Sequence, residues 1–596
     1  MTGVVSKFRS SLFTCLLLLL TCARINAQAP DIRVRIYSLQ SVKQLTLLSL
    51  ENISWKTCVT CRARSLATPL TVQATGNQLQ YGNSKSNKLY LTGKYRIQIA
   101  GEHALESHYP LEISVKDNVL VLILSMPMED YVAAVLAGES GNFQSEEALK
   151  AMAVVARTYA ARFRGRHKTE NFDFCDTTHC QDLHLSAVTD RQRAAAEATE
   201  AELLWVQGSP AATYYHQNCG GTAAAASEVW SDVKANYLQV HTDPYCVRSE
   251  HARWESRISK ADLQSALLKA GVQLPTGWQS LQVESRSRSG RVQLLDITGK
   301  DGKPAMKLSA STLRFAAGRT LGWNQIKSDF YELRISGDEV LFSGRGSGHG
   351  VGLCQEGADA MGKLGKNYHE ILAFYFPGAV LGISAQGVDW HLLHSEQLDL
   401  LTTDANPDPR LLNAAESTLR KAQIISGLQL TSHPLLKIYS TLAIYRDSTG
   451  EPGWVAASTR GNTIRLQPWE LLQQKGVLDS TLRHEFLHML VEGNTHVSLP
   501  LWFREGLVLY LAQSTDQNKD QGNETKQHPT LSPQQMEAAL RNPQSQQQMR
   551  QVYASARITV ATLVARWGKA EVMQWLSRGI PAGALASLSA AQAAQH

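Results

Sequence analysis

Two stretches of the sequence combine acidic, imidazole and thiol side chains at spacings that favour catalysis. The later one, RHEFLH, places His484 and His488 at positions i and i+4 with Glu485 between them. On a helix the two imidazoles project side by side and can bind one zinc ion, and the glutamate can activate a zinc-bound water. Glu505, in the following WFREGL, offers an acidic third ligand. A buried hydrogen-bonded cluster of these side chains without metal is the alternative interpretation.

The earlier stretch, MEDYVAAVLAGESGNF, begins at Met128 and carries a glutamate on an apolar stripe. If residues 131–139 are helical, Glu139 shares one face with apolar side chains at i, i+3 and i+4 spacing, which are Tyr131, Val132, Val135 and Leu136. A carboxyl in such surroundings stays protonated above its usual pKa, as a general acid for glycosidic bond cleavage requires. The alternative is a helix-terminal glutamate whose side chain bends to solvent at Gly141.

A third group of candidate ligands lies in FCDTTHC, where Cys175, His179 and Cys180 fall within six residues. Two thiolates and an imidazole suit zinc, with His167 as a candidate fourth ligand. A disulfide between Cys175 and Cys180 is the competing interpretation, because exported proteins form disulfides.

Glycines alternate with other residues in FSGRGSGHGVGLCQEGA, which predicts a strand with a bare glycine face and His349 on the other face. Such a face would let a flat ligand such as a sugar ring approach the backbone closely. A glycine-rich structural bulge is the alternative interpretation. The spacing fits neither a dinucleotide fingerprint nor a phosphate-binding loop. The upstream YYHQNCGG adds His216 as a further polar candidate.

The elements that must position these residues fall into successive regions. Alternating short strands are predicted from Asp31 to about Asp117, and strands mixed with helices from there to about Val388. TTDANPDPR, at 402–410, interrupts the periodicity, and a mainly helical region follows. Ser145 and Ser480 are predicted N-caps of two helices, EEALKAMAVVARTYAARF and one through TLRHEFLHMLVEG that ends near Gly493. The polar stretch at 514–535 is predicted to be an exposed loop.

Composition limits the class of protein. With 596 residues and 43% hydrophobic content, the chain is long enough for several folded domains and too apolar to be disordered. A net charge of +6 without a basic stripe gives no reason to expect nucleic acid as a partner.

The N-terminus predicts export. Lys7 and Arg9 precede a short apolar run and a small-residue site ending at Ala27, the pattern of a secretory signal peptide. Cleavage after Ala27 would leave an odd number of cysteines, so at least one thiol stays free or binds metal. For CVTC at 58–61 a local disulfide or plain buried cysteines are expected rather than a redox pair.

The blocks EDYVAAVLAGE, EALKAMAVVARTYA, CDTTHCQ, YYHQNCGG, YLQVHTDPYC and GRGSGHGVGLCQEGA stand in the order found in the SpoIID/LytB family, which residues 115–385 resemble. The family's sporulation member is a lytic transglycosylase of peptidoglycan that prefers strands stripped of stem peptides, and LytB members are amidase enhancers. The resemblance implies that Glu139 is the catalytic acid/base and that Cys175, His179 and Cys180 form a zinc site beside the cleft. It implies substrate binding or architecture for His349 and Gln355, and we group His216 with them.

The C-terminal region resembles the MA-like gluzincin peptidases over about 395–596, through RLQPWELL, RHEFLH and WFREGL. The sequence departs from many relatives at EGLV, where a small residue usually follows EGL. This resemblance implies zinc bound by His484, His488 and Glu505, with Glu485 as general base.

We therefore expect an α+β multidomain protein in which a mainly helical zincin-like domain follows β-rich and mixed α/β regions. The predicted boundaries are 1–27 signal peptide, 28–115 β-rich region, 116–390 SpoIID-like domain and 391–596 peptidase-like domain. The expected function is export to the cell envelope, secreted or periplasmic, and lytic cleavage of peptidoglycan glycan strands, with a zinc peptidase acting on a peptide or protein. Two alternatives stay open, a non-catalytic wall-binding enhancer of an amidase and a zinc peptidase targeted to the wall.

Overall fold

The computed structural model describes residues 31–593 except 52, 66–68, 234, 300–301, 450, 452, 454, 514–530 and 542–545. The predicted signal peptide and most of the predicted exposed loop lie outside the described residues. The described chain forms two compact units, residues 31–388 and residues 389–593. No described helix has the length and apolar character needed to cross a membrane.

The first unit begins with short strands that build two sheets. The strands are β1 (Ile32–Ile36), β2 (Gln44–Ser49), β3 (Ser54–Lys56), β4 (Arg64–Ser65), β5 (Leu70–Thr75), β6 (Gln78–Tyr81), β7 (Ser84–Ser86), β8 (Lys88–Thr92), β9 (Tyr95–Gln98), β10 (Leu105–Ser107), β11 (Leu111–Lys116), β12 (Val119–Met126) and β13 (Phe174–Cys175). One sheet has the order β13-β1-β12-β11-β8-β3-β4 and the other β10-β9-β2-β5-β6-β7. Pairing of β1 with β12 and β13 joins the N-terminal region to the segment that carries the Glu139 helix.

Helices pack beside these sheets. They are α1 (Met128–Glu139), α2 (Glu146–Phe163), α3 (Asp190–Ala198) and α4 (Ala226–Val229), with single 3-10 turns at Lys168–Glu170, Leu185–Ala187 and Cys246–Arg248. Short strands β14 (Leu203–Val206), β15 (Ser209–Pro210), β16 (Tyr215–His216), β17 (Thr222–Ala223) and β18 (His241–Thr242) connect them. The helix predicted over residues 131–139 is confirmed, and the Ser145 side chain caps α2 by accepting a hydrogen bond from the Ala148 N–H.

A module with its own core follows. Its elements are β19 (Arg253–Ser259), α5 (Lys260–Lys269), β20 (Ser280–Arg286), β21 (Val292–Thr298), β22 (Pro304–Ser309), α6 (Ala310–Leu321), β23 (Tyr331–Ser336) and β24 (Glu339–Arg345). Two three-stranded sheets, β19-β24-β23 and β20-β21-β22, share a hydrophobic cluster with the two helices. Because β19 pairs antiparallel with β24, the chain enters and leaves this module at one place.

The glycine-rich segment after β24 is a loop, so the prediction of a strand there is wrong. The strand ends at Arg345, and Gly346, Gly348, Gly350 and Gly352 all have positive φ, between 71° and 100°. Side chains at these positions would meet neighbouring chain, since a Cβ at Gly352 would lie 2.1 Å from the Tyr214 carbonyl oxygen. The glycines therefore serve left-handed backbone turns and close packing rather than a flat face. The unit closes with β25 (Leu353–Cys354), α7 (Gln355–Lys363), α8 (Tyr368–Tyr375) and β26 (Val380–Gly382).

The second unit packs helices against a five-stranded sheet. Its strands are β27 (His391–His394), β28 (Asp399–Thr402), β29 (Leu435–Ile438), β30 (Ala457–Arg460) and β31 (Thr463–Leu466), in the order β27-β28-β29-β31-β30. Its helices are α9 (Arg410–Ser426), α10 (Leu442–Thr449), α11 (Trp469–Gln474), α12 (Leu478–Gly493), α13 (Leu501–Gln513), α14 (Pro533–Arg541), α15 (Gln546–Trp567), α16 (Lys569–Arg578) and α17 (Ala582–Ala593).

The structure corrects one helix start in this unit. Helix α12 begins at Leu478 instead of after Ser480, whose hydroxyl donates to the Val477 carbonyl and does not cap the helix. The helix ends at Gly493 as predicted.

Candidate active site

Glu139 is the last residue of α1, and its carboxylate lies in a pocket of hydrogen-bond donors. The side chains predicted on its face, Tyr131, Val132, Val135 and Leu136, are all fully buried. Glu139 Oε1 accepts hydrogen bonds from the Asp182 backbone N–H at 2.9 Å and the Tyr215 hydroxyl at 3.0 Å. The carboxylate therefore points into the protein rather than bending away to solvent.

Burial sets the protonation of this carboxyl. Desolvation raises the pKa of Glu139 above its ordinary value, and the negative charge of Asp182 acts in the same direction. The donors from Asp182 and Tyr215 oppose that shift by stabilising the ionised form, but burial outweighs them. The group thus keeps its proton to higher pH than an exposed glutamate and still has donors ready for its anion.

A buried polar relay holds the Tyr215 hydroxyl. Gln181 is fully buried, its Nε2 donates to the Tyr215 oxygen at 3.4 Å, and its Oε1 accepts from the Tyr131 hydroxyl at 3.0 Å. Because Tyr131 lies on α1 itself, the relay ties the tyrosine to the helix that carries Glu139.

The loop after Cys180 lies directly on α1. His184 N–H donates to the Ala134 carbonyl at 3.0 Å, and a Cβ at Gly138 would lie 2.5 Å from the Asp182 carbonyl oxygen. Only glycine at position 138 permits this approach, which brings the Asp182 N–H to the Glu139 carboxylate.

Of the predicted substrate-binding residues, Gln355 lies next to the catalytic candidate. Its Nε2 donates to the Glu139 carbonyl oxygen at 3.0 Å from the first residue of α7. Asp359, one turn later, accepts from the Gln144 and Ser145 N–H groups, both at 2.8 Å. Helix α7 therefore fixes both the end of α1 and the start of α2.

The structure brings the predicted His216 and His349 together on another face of the site. Successive side chains of a strand point to opposite faces, so Tyr215 turns toward Glu139 and His216 turns away. The two imidazole centroids are 5.5 Å apart, and His349 also contacts Trp230 at 4.9 Å. His216 Nδ1 and the Val351 carbonyl are 3.1 Å apart, and the Val351 N–H donates to His349 Nδ1 at 3.0 Å. Burial lowers the pKa of His349 to about 3, so its ring is neutral.

The predicted Cys175, His179 and Cys180 group is assembled, and His167 joins it. One donor atom from each of the four residues lies within 4.8 Å of all the others. The Cys175 and Cys180 sulfurs are 3.2 Å apart and unbonded, and His167 Nε2 is 3.3 Å from the Cys180 sulfur. Two thiols and two imidazoles fit a tetrahedral zinc ion. Cys58 and Cys61, in contrast, form a local disulfide, one of the two outcomes expected for CVTC.

The RHEFLH group is assembled in the second unit. His484 Nε2 and His488 Nε2 are 3.1 Å apart, and His488 Nε2 lies 3.5 Å from Glu505 Oε2 on α13. Burial, helped by the neighbouring His488, lowers the pKa of His484 to about 4, so it is neutral, the form that binds metal. Glu485 is 2% exposed and its Oε2 accepts from the Thr459 hydroxyl of β30 at 2.6 Å. The donor set fits zinc, with Glu485 beside it.

Several residues of the candidate sites were not predicted from the sequence. Asp182 acts through its backbone N–H and Tyr215 and Gln181 through long-range contacts, so no local spacing could single them out. A further group, formed by Cys219, Asp243, Cys246 and Cys354, draws on three distant segments. Their cysteines were visible, and the odd count was the one signal that pointed to an unpaired or metal-bound thiol.

The segment that carries Glu139 and the Cys/His group matches known proteins. Residues 116–205 match the family model described as Stage II sporulation protein, and residues 246–352 match a domain of unknown function (DUF8618). An uncharacterized protein of Brachyspira hyodysenteriae is 30% identical over 264 residues, which cover 44% of this chain and 68% of that relative.

Two named relatives come from Bacillus subtilis. Stage II sporulation protein D is 24% identical over 289 residues, 45% of this chain and 78% of that protein. The amidase enhancer is 26% identical over 280 residues, 40% of this chain and 38% of that protein. The family match, the relatives and the motif order agree, and the chain therefore belongs to the SpoIID family of stage II sporulation protein D and amidase enhancer homologues.

Proposed function

We propose that this protein remodels peptidoglycan by lytic cleavage of its glycan strands, with Glu139 as the acid and base. The observation that carries the proposal is the partly buried carboxyl of Glu139. Burial raises its pKa, while two hydrogen-bond donors stay in place for its anion. A group of this kind can give a proton and take one back during the reaction.

The reaction needs one proton donor that becomes a base. Glu139 gives its proton to the glycosidic oxygen as the bond to C1 breaks. The resulting carboxylate, stabilised by the Tyr215 hydroxyl and the Asp182 N–H, takes the proton of the muramic acid 6-hydroxyl as that oxygen bonds to C1. The product is a 1,6-anhydro end, and Glu139 is protonated again without consuming water.

Ordinary glycoside hydrolysis uses two catalytic carboxylates. The surroundings of the other carboxylates support the lytic route instead. Asp176 accepts from the Tyr37 and Ser38 N–H groups, and Asp243 belongs to the separate cysteine group. Asp182 is the carboxylate whose charge acts on Glu139, and its Oδ2 lies 3.4 Å from His184 Nε2. It is the candidate second carboxylate if the protein hydrolyses glycan instead.

The first test uses purified glycan strands stripped of stem peptides. We expect the wild type to release anhydro-muramyl ends, and Glu139→Gln to lose about 100- to 10,000-fold in rate because it removes the acid/base. Glu146→Gln, on the exposed first turn of α2, is the matched control and should stay active.

Mass spectrometry of the products separates the outcomes. Reducing ends that disappear in Asp182→Asn would replace the lytic route with hydrolysis. Glycan left uncut by the wild type but bound by it would favour the alternative, a wall-binding enhancer of an amidase.

A second activity is supported by the RHEFLH group, and we propose a zinc-dependent peptidase-like site in residues 389–593. His484, His488 and Glu505 would hold the metal, since one donor atom from each lies within 4.8 Å of the others. Bound zinc would supply a water of lowered pKa and polarise a peptide carbonyl. Glu485, held by Thr459, stands next to the two imidazoles as the base that takes the proton of that water.

The sheet offers this site a place for an extended peptide. Strand β30 lies at the edge of the five-stranded sheet and pairs only with β31 among the described strands. Thr459 on β30 contacts Glu485, so a peptide that added to this edge as a further strand would run past the base.

A defined peptide library tests the second site. New amino termini are expected with wild type plus zinc, and Glu485→Gln should abolish them. Termini that persist in Glu485→Gln would come from a contaminating protease or another group and would remove the peptidase proposal. Asp479→Asn, on the exposed first turn of α12, is the matched control.

The proposed setting is the cell envelope. The N-terminal export pattern and the family membership support it. Fractionation of cells that produce the full chain tests it, and a cytoplasmic location of the mature protein would contradict it.

A further inference from the structure

The first unit contains a second sulfur-rich group, separate from the one beside Glu139. Cys219, Asp243, Cys246 and Cys354 are at most 1% exposed, and one donor atom from each lies within 4.8 Å of the others. The Cys219 sulfur lies 3.3 Å from that of Cys246 and 3.2 Å from Asp243 Oδ2. Three thiols and a carboxylate thus converge in a site that solvent does not reach.

We propose that these four residues bind a structural zinc ion. Zinc takes four ligands of the thiolate and carboxylate type in closed, buried sites. Each cysteine that ligates loses its proton to solvent, and the carboxylate completes the tetrahedron. The proposal is independent of the Glu139 chemistry.

The distances favour a metal over a disulfide. A tetrahedral zinc with bonds of about 2.3 Å holds its sulfurs about 3.8 Å apart. The Cys219 and Cys246 sulfurs, at 3.3 Å, need to open by about 0.5 Å for zinc but would close by more than 1 Å for a bond of about 2.05 Å. A disulfide between Cys219 and Cys246 would also leave the Cys354 thiol buried beside it and outside the bond.

The protein prepares the ligands in the way that metal sites require. Asp243 is oriented by the Tyr375 hydroxyl on Oδ2 and the Tyr245 N–H on Oδ1, both at 2.9 Å. The Cys354 sulfur accepts from the Cys219 N–H at 3.4 Å and stands at the N-cap of α7, where negative charge is favoured. Glycine is needed at position 357 of α7, since a Cβ there would lie 2.7 Å from Asp243 Oδ2.

A buried cation from the neighbouring module would offset part of the negative charge that three thiolates and a carboxylate bring to the site. Arg291, 4% exposed, donates to the Cys219 carbonyl and the Thr222 carbonyl, both at 2.9 Å. The guanidinium therefore reaches the backbone of one proposed ligand from the module of residues 246–352.

The position of the site indicates which part of the fold a bound metal would stabilise. Cys246 is the first residue of the segment 246–352 and Cys354 follows its end, so the metal would clamp the two points where this module leaves and rejoins the rest of the unit. Closing a loop of this length removes conformational freedom from the unfolded chain. Residue 355, adjacent to Cys354, is the glutamine that bonds the Glu139 carbonyl, so the clamp also fixes the end of the active-site helix.

The first step of the decisive experiment leaves the proposed ligands untouched. In full-length mature protein with Cys175→Ser and Cys180→Ser, the remaining free cysteines among the described residues are Cys219, Cys246 and Cys354. Loading with Co²⁺ should give a thiolate-to-cobalt charge-transfer band at one equivalent, because the His484 group contains no sulfur. Adding Cys354→Ser should remove or strongly weaken the band. A double variant without any such band would overturn the proposal.

Thiol counting on the wild type separates metal from disulfide even if a variant misfolds. Mature protein denatured with a chelator and no reductant should show five reactive thiols, the number of free cysteines in the described chain. A count of three, with Cys219 and Cys246 linked in the peptide map, would replace the zinc site with a disulfide.

Discussion

At the scale of single residues, the proposed acid/base chemistry depends on how Glu139 is solvated. Its carboxyl is partly buried at the end of α1 and receives hydrogen bonds from Tyr215 and Asp182. Burial favours the neutral acid and the two donors favour the anion, so removing either influence moves the pKa in a known direction.

Tyr215→Phe tests this balance. The phenol stabilises the ionised carboxylate, so its loss should raise the pKa of Glu139 further and move the alkaline limb of glycan cleavage to higher pH. The pH dependence of kcat/KM for anhydro-end release measures the shift, because the acid must be protonated in the free enzyme.

Tyr131→Phe is the matched control for that experiment. It removes the hydroxyl that donates to Gln181, one step away from the carboxylate, so its alkaline limb should move less. A limb that moves to lower pH in Tyr215→Phe would mean that the phenol does not donate to Glu139 in solution.

At the scale of elements, the site depends on the contact between α1 and the loop of residues 181–184. Gly138→Ala would place a methyl group 2.5 Å from the Asp182 carbonyl oxygen, so the loop must move away. We expect a loss of about 1–3 kcal/mol in unfolding free energy, as for other overpacked sites, and reduced cleavage because the Asp182 donor shifts.

Gly141→Ala controls for helix and turn effects, since its Cβ would lie 3.4 Å from the Ala137 carbonyl oxygen, close to ordinary contact. Denaturant unfolding and the cleavage assay check both variants. Equal stability and activity in the two would rule out the close approach of the loop as a requirement.

The packing of three helices depends on one buried cation. Arg157 of α2 is 1% exposed, its Nε lies 2.9 Å from Glu129 Oε1 on α1, and its Nη2 donates to the Ala196 carbonyl of α3 at 2.9 Å. Arg157→Met should cost about 3–5 kcal/mol, because Glu129 loses the partner of a buried charge pair.

Lys150→Met on the same helix removes a partly exposed pair with Glu147 and should cost about 0–1 kcal/mol. Urea unfolding of the two variants measures the difference. A similar small loss in both would show that water replaces the guanidinium.

At the scale of the whole molecule, the two compact units contain different kinds of candidate metal ligands. The two groups that contain sulfur lie within residues 31–388, and the His484, His488 and Glu505 group lies within residues 389–593. A second group there, His394, Asp399 and His433, includes two exposed imidazoles.

Metal analysis of the full chain tests this distribution. His488→Ala should lower bound zinc by about one equivalent while leaving the thiolate-to-cobalt band unchanged, since two of three ligands cannot hold the ion tightly. His433→Ala is the control and should leave the zinc content as in wild type. Unchanged zinc in His488→Ala would mean that the RHEFLH residues form a metal-free hydrogen-bonded cluster.

Local patterns in the sequence determined the features that depend on neighbours along the chain. The apolar stripe of α1 predicted both the helix and the inward direction of Glu139, and Ser145 predicted the start of α2, because capping and helical periodicity act over a few residues. The i, i+4 histidines likewise predicted that His484 and His488 would meet on one helix.

Only the tertiary structure decided what depends on chain segments far apart. The glycines after Arg345 look like a strand by period, but the close approach of Tyr214 and Asn218 forces them into left-handed turns. Tyr215 and Asp182 become partners of Glu139 only when β16 and the loop after Cys180 fold onto α1. The same is true of Cys219, Cys246 and Cys354, because a site built from three segments leaves no fixed spacing in the sequence.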